Sequence, residues 1–304
     1  MIQLIALSAA FTYAVSYLLI LLAKKVGWVD GPCAEDSQRK LQAAPVPVVG
    51  GAAILLGLFA LEVDGRTSLN SALFMGHDLV GEGALAWPAL VAAFLLGLVD
   101  DLRGGGLPPA VKVAGQVGVG LVVAFSIFAM EPVYTLACIV VVPLALNAWN
   151  TFDNADGAAT GVGALALISV ASPAAGPVIG FLGCNLRRRG GAIAYLGDSG
   201  SHLLGCLVLL HPGAWPLMLL PALDLLRVSF LRISEGRAPW TGDRTHLAHR
   251  MQRRGLSPLQ VAVCLYLVAA LPFFWPGWPG LALGLFGFLF SVWASRPCPE
   301  SEPG

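Results

Sequence analysis

Residues 138–171 read CIVVVPLALNAWNTFDNADGAATGVGALALISVA. Two apolar runs, 138–146 and 162–171, enclose a polar motif in which Asn147, Asn150, Asp153 and Asp156 recur every third residue. Each step of three turns an α-helix by about 300°, so Asn147 and Asp156 would end on opposite faces. The four side chains therefore cannot share one face of a straight helix. The spacing predicts a helix that ends near Asn150 and unwinds through TFDNADG, aiming both aspartates into a pocket. Irregular backbone between apolar runs is tolerated in a membrane only where protein or a polar cavity surrounds it.

The rest of the chain has the same character. Of 304 residues, 57% are hydrophobic and 12% charged, and the mean hydropathy is +0.76. A soluble domain carries about 25% charged residues. Apolar runs fall near 2–23, 46–63, 84–99, 111–130, 133–146, 158–175, 177–186, 201–210, 215–233, 258–275 and 279–294. The expected fold is an all-α polytopic membrane protein of about ten to eleven transmembrane helices. One membrane domain over 1–295 would carry a short polar tail at 296–304. The first run lacks a basic leader and is followed by Lys24 and Lys25, so it reads as an uncleaved span. The net charge of zero suggests no nucleic-acid surface. Six cysteines without a CxxC pair indicate neither a disulfide frame nor a zinc site.

Basic residues orient the chain. With the N-terminus outside, every Lys and Arg except Arg66 falls on the cytoplasmic side. Five polar stretches then converge there: DGPCAEDSQRKLQAAPVPVVGG (30–51), VDDLRGGGLPPAVKVAGQ (99–116), NAWNTFDNADG (147–157), LGDSGSHLLG (196–205) and DRTHLAHRMQRRG (243–255). A lone aspartate at a span end needs only the headgroup boundary. Five of them (Asp100, Asp101, Asp153, Asp156 and Asp198) in three short motifs on one side point to a shared site. Clustered carboxylates suit a hard cation that also takes phosphate oxygens from a substrate, as magnesium does. His246 and His249 among arginines suit phosphate better than metal. A basic segment holding anionic lipid is the plainer alternative for that stretch.

Taken in order, these motifs resemble the polyprenyl-phosphate N-acetylhexosamine-1-phosphate transferases, and most closely their UDP-N-acetylglucosamine:undecaprenyl-phosphate branch. RKLQAAPVPVVGG is similar to the family's first loop, and VDDLRG with Lys112 and Gln116 to its aspartate pair and lysine-glutamine helix. NAWNTFDNADG is similar to NxxNxxDGxDG, LGDSGS to GDxGS, and the 221–250 stretch to the histidine loop and its approach. The resemblance implies a magnesium-dependent transfer, with manganese as a substitute metal. N-acetylhexosamine-1-phosphate would pass from a UDP-sugar to a polyprenyl phosphate, releasing UMP. It implies catalytic roles for Asp100, Asp101, Asp198 and His246, and metal ligation by Asp198, Asp101 and Asp156. It implies substrate contacts from Lys40, Lys112, Asn147, Asn150, Asp153, Asp156, Arg244 and His249. The enzyme would be multi-pass in the inner membrane with its site facing the cytoplasm; a homodimer is compatible with the class. The phospho-N-acetylmuramoyl-pentapeptide transferases are the neighbouring branch, and an inactive member or a secondary transporter are the rival readings. Three positions depart from the family pattern: Gln42 for a histidine, Asn154 for a glycine and Ala248 for a histidine.

Overall fold

The computed structural model describes residues 1–30, 45–64, 86–103, 105–186, 191–275 and 277–296. Lys40, Gln42, Arg66 and the polar tail from residue 297 lie outside the described residues.

The apolar runs form helices because no other spanning structure satisfies the backbone in lipid without a closed barrel. In chain order they are α1 (Ile2–Val26), α2 (Gly50–Val63), α3 (Trp87–Leu102), α4 (Pro109–Phe128), α5 (Pro132–Phe152), α6 (Ala158–Ser169), α7 (Ala175–Asn185), α8 (Gly197–Leu209), α9 (Leu219–Ser234), α10 (Leu247–Arg253), α11 (Pro258–Ala270) and α12 (Trp278–Ala294). A 3₁₀ turn, Pro212–Met218, leads into α9, and another, Leu271–Phe274, leaves α11. The strands β1 (Val29–Asp30) and β2 (Val46–Pro47) pair antiparallel, with Val29 opposite Pro47.

Each expected span coincides with a helix, and the boundaries differ most in three places. Helix α5 runs on to Phe152, and α8 begins at Gly197, not at residue 201. In both, polar side chains bond across to neighbouring helices, so polarity does not end the helix. The expected span 158–175 instead breaks: α6 stops at Ser169, Ala171 takes φ 53°, and α7 starts at Ala175. The short α10 falls outside the apolar runs, within the basic stretch 243–255.

Among the described residues, four segments are long and apolar enough to cross a membrane: α1, α4, α5 and the Pro212–Ser234 unit. These show apolar side chains outward, among them Leu18, Phe125, Leu136 and Phe230. Among the short helices, α6, α7 and α8 lie largely inside. Every residue of α8 from Ser199 to Val208 is buried, and α8 packs on α2, α3 and α5. A helix enclosed by protein need not match the thickness of lipid, which explains how runs too short to span remain stable.

Small residues set the spacing between helices. Helix α1 turns Ser8, Thr12 and Ser16 toward α7. A Cβ at Gly176 would lie 1.9 Å from the Ser8 Oγ, and one at Gly180 2.3 Å from the Ala9 carbonyl. Ser8 and Ser16 donate to the carbonyls of Leu4 (2.8 Å) and Thr12 (2.6 Å), so neither hydroxyl is left bare.

The helices leave one end of the bundle polar. The ends of α1, α3, α5, α7, α9 and α12 and the starts of α2, α4, α6, α8 and α11 meet there, and the described residues of the five polar stretches belong to that end.

Candidate active site

The site begins with a close approach of backbones. A Cβ at Gly97 on α3 would stand 2.2 Å from the Asp198 carbonyl oxygen, and one at Gly51 on α2 would stand 2.6 Å from the Gly200 nitrogen. Only glycine admits α8 this near to both neighbours. A short latch adds to the contact. Tyr195 N–H donates to the Pro47 carbonyl (2.8 Å), while Gly50 and Gly51 donate to the carbonyls of Tyr195 and Leu196 at 3.1 and 3.2 Å. The first turn of α8 is thereby fixed against α3, one turn from Asp100 and Asp101.

The two adjacent aspartates then serve different partners. Successive side chains on a helix point about 100° apart. Asp101 accepts the N–H of Asp198 at Oδ1 (2.8 Å) and of Ser199 at Oδ2 (2.9 Å). It is a cap supplied from another helix, satisfying amides that α8 cannot satisfy itself and placing a negative charge at its positive end. Asp100 turns instead to Lys112 of α4, whose Nζ lies 2.6 Å from its Oδ2, and accepts the Leu107 N–H (2.5 Å).

Lys112 is the centre of the arrangement. Its Nζ also lies 2.7 Å from Asp198 Oδ2 and donates to Asn150 Oδ1 at 3.1 Å. The Asn150 amide in turn donates to Asp198 Oδ1 (2.5 Å) and Ser201 Oγ (3.0 Å). One ammonium is thus shared by two carboxylates and an amide from α3, α8 and α5. Their side chains are 4% (Asp100), 18% (Lys112) and 33% (Asp198) exposed, so the layer opens on the Asp198 side.

The motif that opened the sequence closes the layer. Helix α5 stops at Phe152, Asp153 is its cap residue, and the chain turns through Gly157 at φ 72° before α6. The expected break is present, two residues beyond Asn150. Its far side is clamped from three directions. The Asn185 Oδ1 accepts from Gly157 N (3.1 Å) and Thr160 Oγ1 (2.8 Å), Asp156 Oδ2 accepts from Ala192 N (2.8 Å), and Tyr266 donates to the Gly157 carbonyl (2.7 Å). The Asp153 N–H donates to the Trp149 carbonyl (3.1 Å), but its carboxylate has no hydrogen-bond partner among the described residues. Burial, followed by the negative charges of Asp198, Asp156 and Asp101, pushes its carboxyl well above the usual range. Burial also raises Asp156, against the bond from Ala192.

The histidine loop forms a second cluster. Asp224 of α9 accepts from His246 Nδ1 (2.8 Å), Leu247 N (3.1 Å) and Arg227 Nη2 (3.1 Å). Arg232 bonds Asp243 (2.9 Å) and the Pro239 carbonyl (2.6 Å), and Arg237 also reaches Asp243 (3.1 Å). Burial opposes the Asp243 charge, yet the bonds from Arg232 and Thr245 hold its carboxyl below the ordinary range. His246 is 6% exposed, and His249 bonds Gln252 (3.1 Å). None of the bonds of His246, His249 or Asp224 reaches the lysine-centred layer.

The structure therefore gathers Asp100, Asp101, Lys112, Asn150, Asp153, Asp156 and Asp198 at one place, with Asn147 one turn deeper. His246, His249 and Arg244 belong to the neighbouring loop, and Lys40 lies outside the described residues. Asp198, Asp101 and Asp156 do not close into a three-carboxylate metal cluster. Among the described residues no group of three His, Cys, Asp or Glu does. Two of the departures have local accounts. Asn154 donates to the Thr151 carbonyl (2.7 Å) at the end of α5, and Ala248 is 3% exposed, so a larger side chain there would have to displace core. Motif spacing does not single out Asp224 or His202 as site residues. The signal for Asp224 is an acid inside an apolar helix, and that for His202 is an imidazole four residues after Asp198.

The chain matches no family model. It is 30% identical to the decaprenyl-phosphate N-acetylglucosaminephosphotransferase of Mycobacterium leprae, over 88% of this chain and 80% of that protein. It is 27% identical to the protein of the same name from Mycolicibacterium smegmatis, over 93% and 85% of the two chains. The undecaprenyl-phosphate alpha-N-acetylglucosaminyl 1-phosphate transferase of Yersinia pestis is 26% identical, over 92% and 87%.

Proposed function

The chain belongs to the polyprenyl-phosphate N-acetylglucosamine-1-phosphate transferases, and from that premise we propose that it transfers N-acetylglucosamine-1-phosphate from UDP-N-acetylglucosamine to a polyprenyl phosphate. A phosphate oxygen of the lipid forms a bond to the β-phosphorus of the donor. The bond from that phosphorus to the bridging oxygen breaks, and UMP leaves with it. The observation that carries this reading is the single ammonium of Lys112 held between Asp100, Asp198 and Asn150, close to the Asp153 carboxylate.

Two anions must meet, so the site has to offset negative charge without becoming a trap for either. Lys112 supplies one fixed positive charge. Asp100, paired with Lys112, is placed to take a proton from the acceptor phosphate. Asp101 acts on Asp198 through the backbone of α8, holding the turn that carries it. Asn150 fixes the Asp198 carboxylate. The arginines of the neighbouring loop offer donors to phosphate oxygens, and His246, bonded to Asp224, holds that loop in place.

Five carboxylates gathered around one bonded ammonium leave an excess of negative charge, and the donors are all hard oxygens. A magnesium ion fits that set, because it takes one or two carboxylates and completes its shell with water and substrate phosphate. Asp198 and Asp153 would hold it, with Asp156 beside them; manganese has the same preferences. When bound it neutralises the diphosphate and the leaving UMP.

The raised Asp153 gives this metal reading a test that needs no turnover. A carboxyl whose pKa is elevated by folding favours the fold at acid pH, and that advantage is lost as pH climbs past the elevated value. In chelator, the thermal midpoint of the wild type is expected to fall relative to that of Asp153→Asn as pH rises from the ordinary carboxylate value of 3.8 toward the elevated one. Magnesium should narrow the gap at the upper end. Parallel curves for the two proteins, with and without metal, would remove Asp153 from the ion's surroundings.

We assign the site to the cytoplasmic face of the inner membrane. Lys24, Lys25, Arg103, Lys112, Arg232, Arg237, Arg250, Arg253, Arg254 and Arg296 sit at the site end, whereas exposed Trp215, Trp275 and Trp278 sit at the other. The reaction is tested by UMP release from purified protein with undecaprenyl phosphate, magnesium and a panel of UDP-sugars, beside Asp198→Asn. Release with UDP-N-acetylglucosamine that requires the lipid and is lost in the variant is the expected result. Release with another UDP-N-acetylhexosamine alone would move the donor assignment, and none with any donor would defeat the transferase reading.

A further inference from the structure

One helical turn below the lysine-centred layer lies a second layer built on the same three helices. Gln116 follows Lys112 by four residues on α4, Asn147 precedes Asn150 by three on α5, and His202 follows Asp198 by four on α8. Gln116 and His202 are 0% exposed. The Asn147 amide donates to Gln116 Oε1 (2.6 Å) and to the Pro143 carbonyl (2.9 Å). Gln116 Nε2 lies 3.2 Å from His202 Nε2, and His202 Nδ1 lies 2.7 Å from the Asp198 carbonyl oxygen.

The hydrogen bonds have one self-consistent direction. A carbonyl can only accept, so His202 Nδ1 carries the proton. Gln116 Oε1 is taken by Asn147, so its amide nitrogen faces His202 and donates to Nε2, which must be bare. Reversing any member leaves two donors or two acceptors facing each other in a buried site, which is costly. The chain of bonds runs from Pro143 on α5 through α4 to the backbone carbonyl of Asp198.

We propose that His202 is a positioning residue for the transfer reaction: with Gln116 and Asn147 it fixes α8 relative to α4 and α5 and so sets where Asp198 stands against Lys112. Asp198 is held on both sides of its Cα, by Asp101 at its N–H and by His202 at its carbonyl. Neither contact uses the carboxylate, which stays available for the site. The role rests on the transferase reading, whereas the layer itself does not.

The experiment has two arms on the full chain in detergent. With five histidines in the sequence, ¹⁵N-histidine labelling and a His202→Gln spectrum identify the His202 signals. The expected signature is the Nδ1-protonated neutral tautomer, with an Nε2 resonance that moves in Gln116→Met. An Nε2-protonated ring or an imidazolium, or an Nε2 resonance indifferent to Gln116→Met, would overturn the layer. In the second arm, UMP release is measured for His202→Leu and His202→Gln. His202→Leu should lose roughly 10- to 100-fold in kcat, the usual cost of a lost supporting hydrogen bond, with KM for the UDP-sugar nearly unchanged. His202→Gln, which keeps a polar group toward Gln116, should recover much of it. Wild-type kcat in His202→Leu, or an equal loss in both variants, would reject the positioning role. Absence of UMP release by the wild type would defeat the reaction instead, and the tautomer would still decide the layer.

Discussion

Lys112→Met should lose roughly 1,000-fold or more in UMP release, the largest effect of any single change in the lysine-centred layer. The loss of one fixed donor from a charge-stabilising site commonly costs 100- to 1,000-fold. Here the same group also separates Asp100 from Asp198, at 2.6 and 2.7 Å. Without it two carboxylates face each other with no fixed cation, and Asp100 is almost wholly buried. Removing one partner from a buried pair costs about 3–5 kcal/mol, because the other charge is left uncompensated. The Asp198 side is one-third exposed, so the stability loss should sit at the low end of that range. Lys112→Arg is expected to restore stability more than activity. A planar fork cannot reproduce one point donor shared by Asp100 Oδ2, Asp198 Oδ2 and Asn150 Oδ1. Combining Lys112→Met with Asp198→Asn should recover part of the thermal midpoint but none of the turnover, since the repulsion is relieved while the site is not. Turnover within tenfold of wild type for Lys112→Met would show that the charge centre lies elsewhere.

The second large effect comes from a residue with no side chain. Gly97→Val should abolish activity and lower the yield of folded protein, and Gly97→Ala should already remove most activity. The added Cβ would stand 2.2 Å from the Asp198 carbonyl oxygen and 2.5 Å from the Ser199 Cα. Both are backbone atoms, so no side chain can swing aside. Helix α8 must move, and its first turn would leave the Asp101 cap and the latch at Gly51. Overpacking of this kind costs about 1–3 kcal/mol when the surroundings can yield, and more when they cannot. Gly118→Ala on α4 is the control, because a Cβ there meets nothing within 4 Å. That substitution should be neutral, or stabilising by up to about 1 kcal/mol through helix propensity. Thermal unfolding followed by UMP release from the folded fraction separates the two effects. Equal behaviour of the Gly97 and Gly118 variants would show that α3 and α8 are not locked by this contact.

Much of this architecture can be read without coordinates, for definite reasons. Lipid admits only a backbone that satisfies itself, so apolar runs must be helices, and eleven of them fall where hydropathy places them. Polar residues cannot face hydrocarbon, so the five stretches rich in Asp, Asn, His and Arg had to lie at helix ends or inside. The three-residue rhythm of 147–156 cannot be accommodated on a straight helix, and the chain does break at Asp153. Boundaries were less legible. Hydropathy stops α5 at residue 146, but Asn147 and Asn150 find partners on α4 and α8, and the helix continues to Phe152.

The sequence by itself determined which residues are polar within an apolar chain, where the helices fall and which of their ends collect the carboxylates. The tertiary structure alone decided what each carboxylate does. Asp100 and Asp101 are neighbours in the chain, yet one pairs with Lys112 and the other caps α8, because about 100° of helical rotation sends them to different helices. Lys112 and Asp198 are 86 residues apart, and His246 is tied to Asp224 rather than to the lysine-centred layer. Periodicity and hydropathy act along one chain and settle its local state. Partnership between side chains depends on how closely and at what angle the helices cross, and here that is set by glycines meeting backbone.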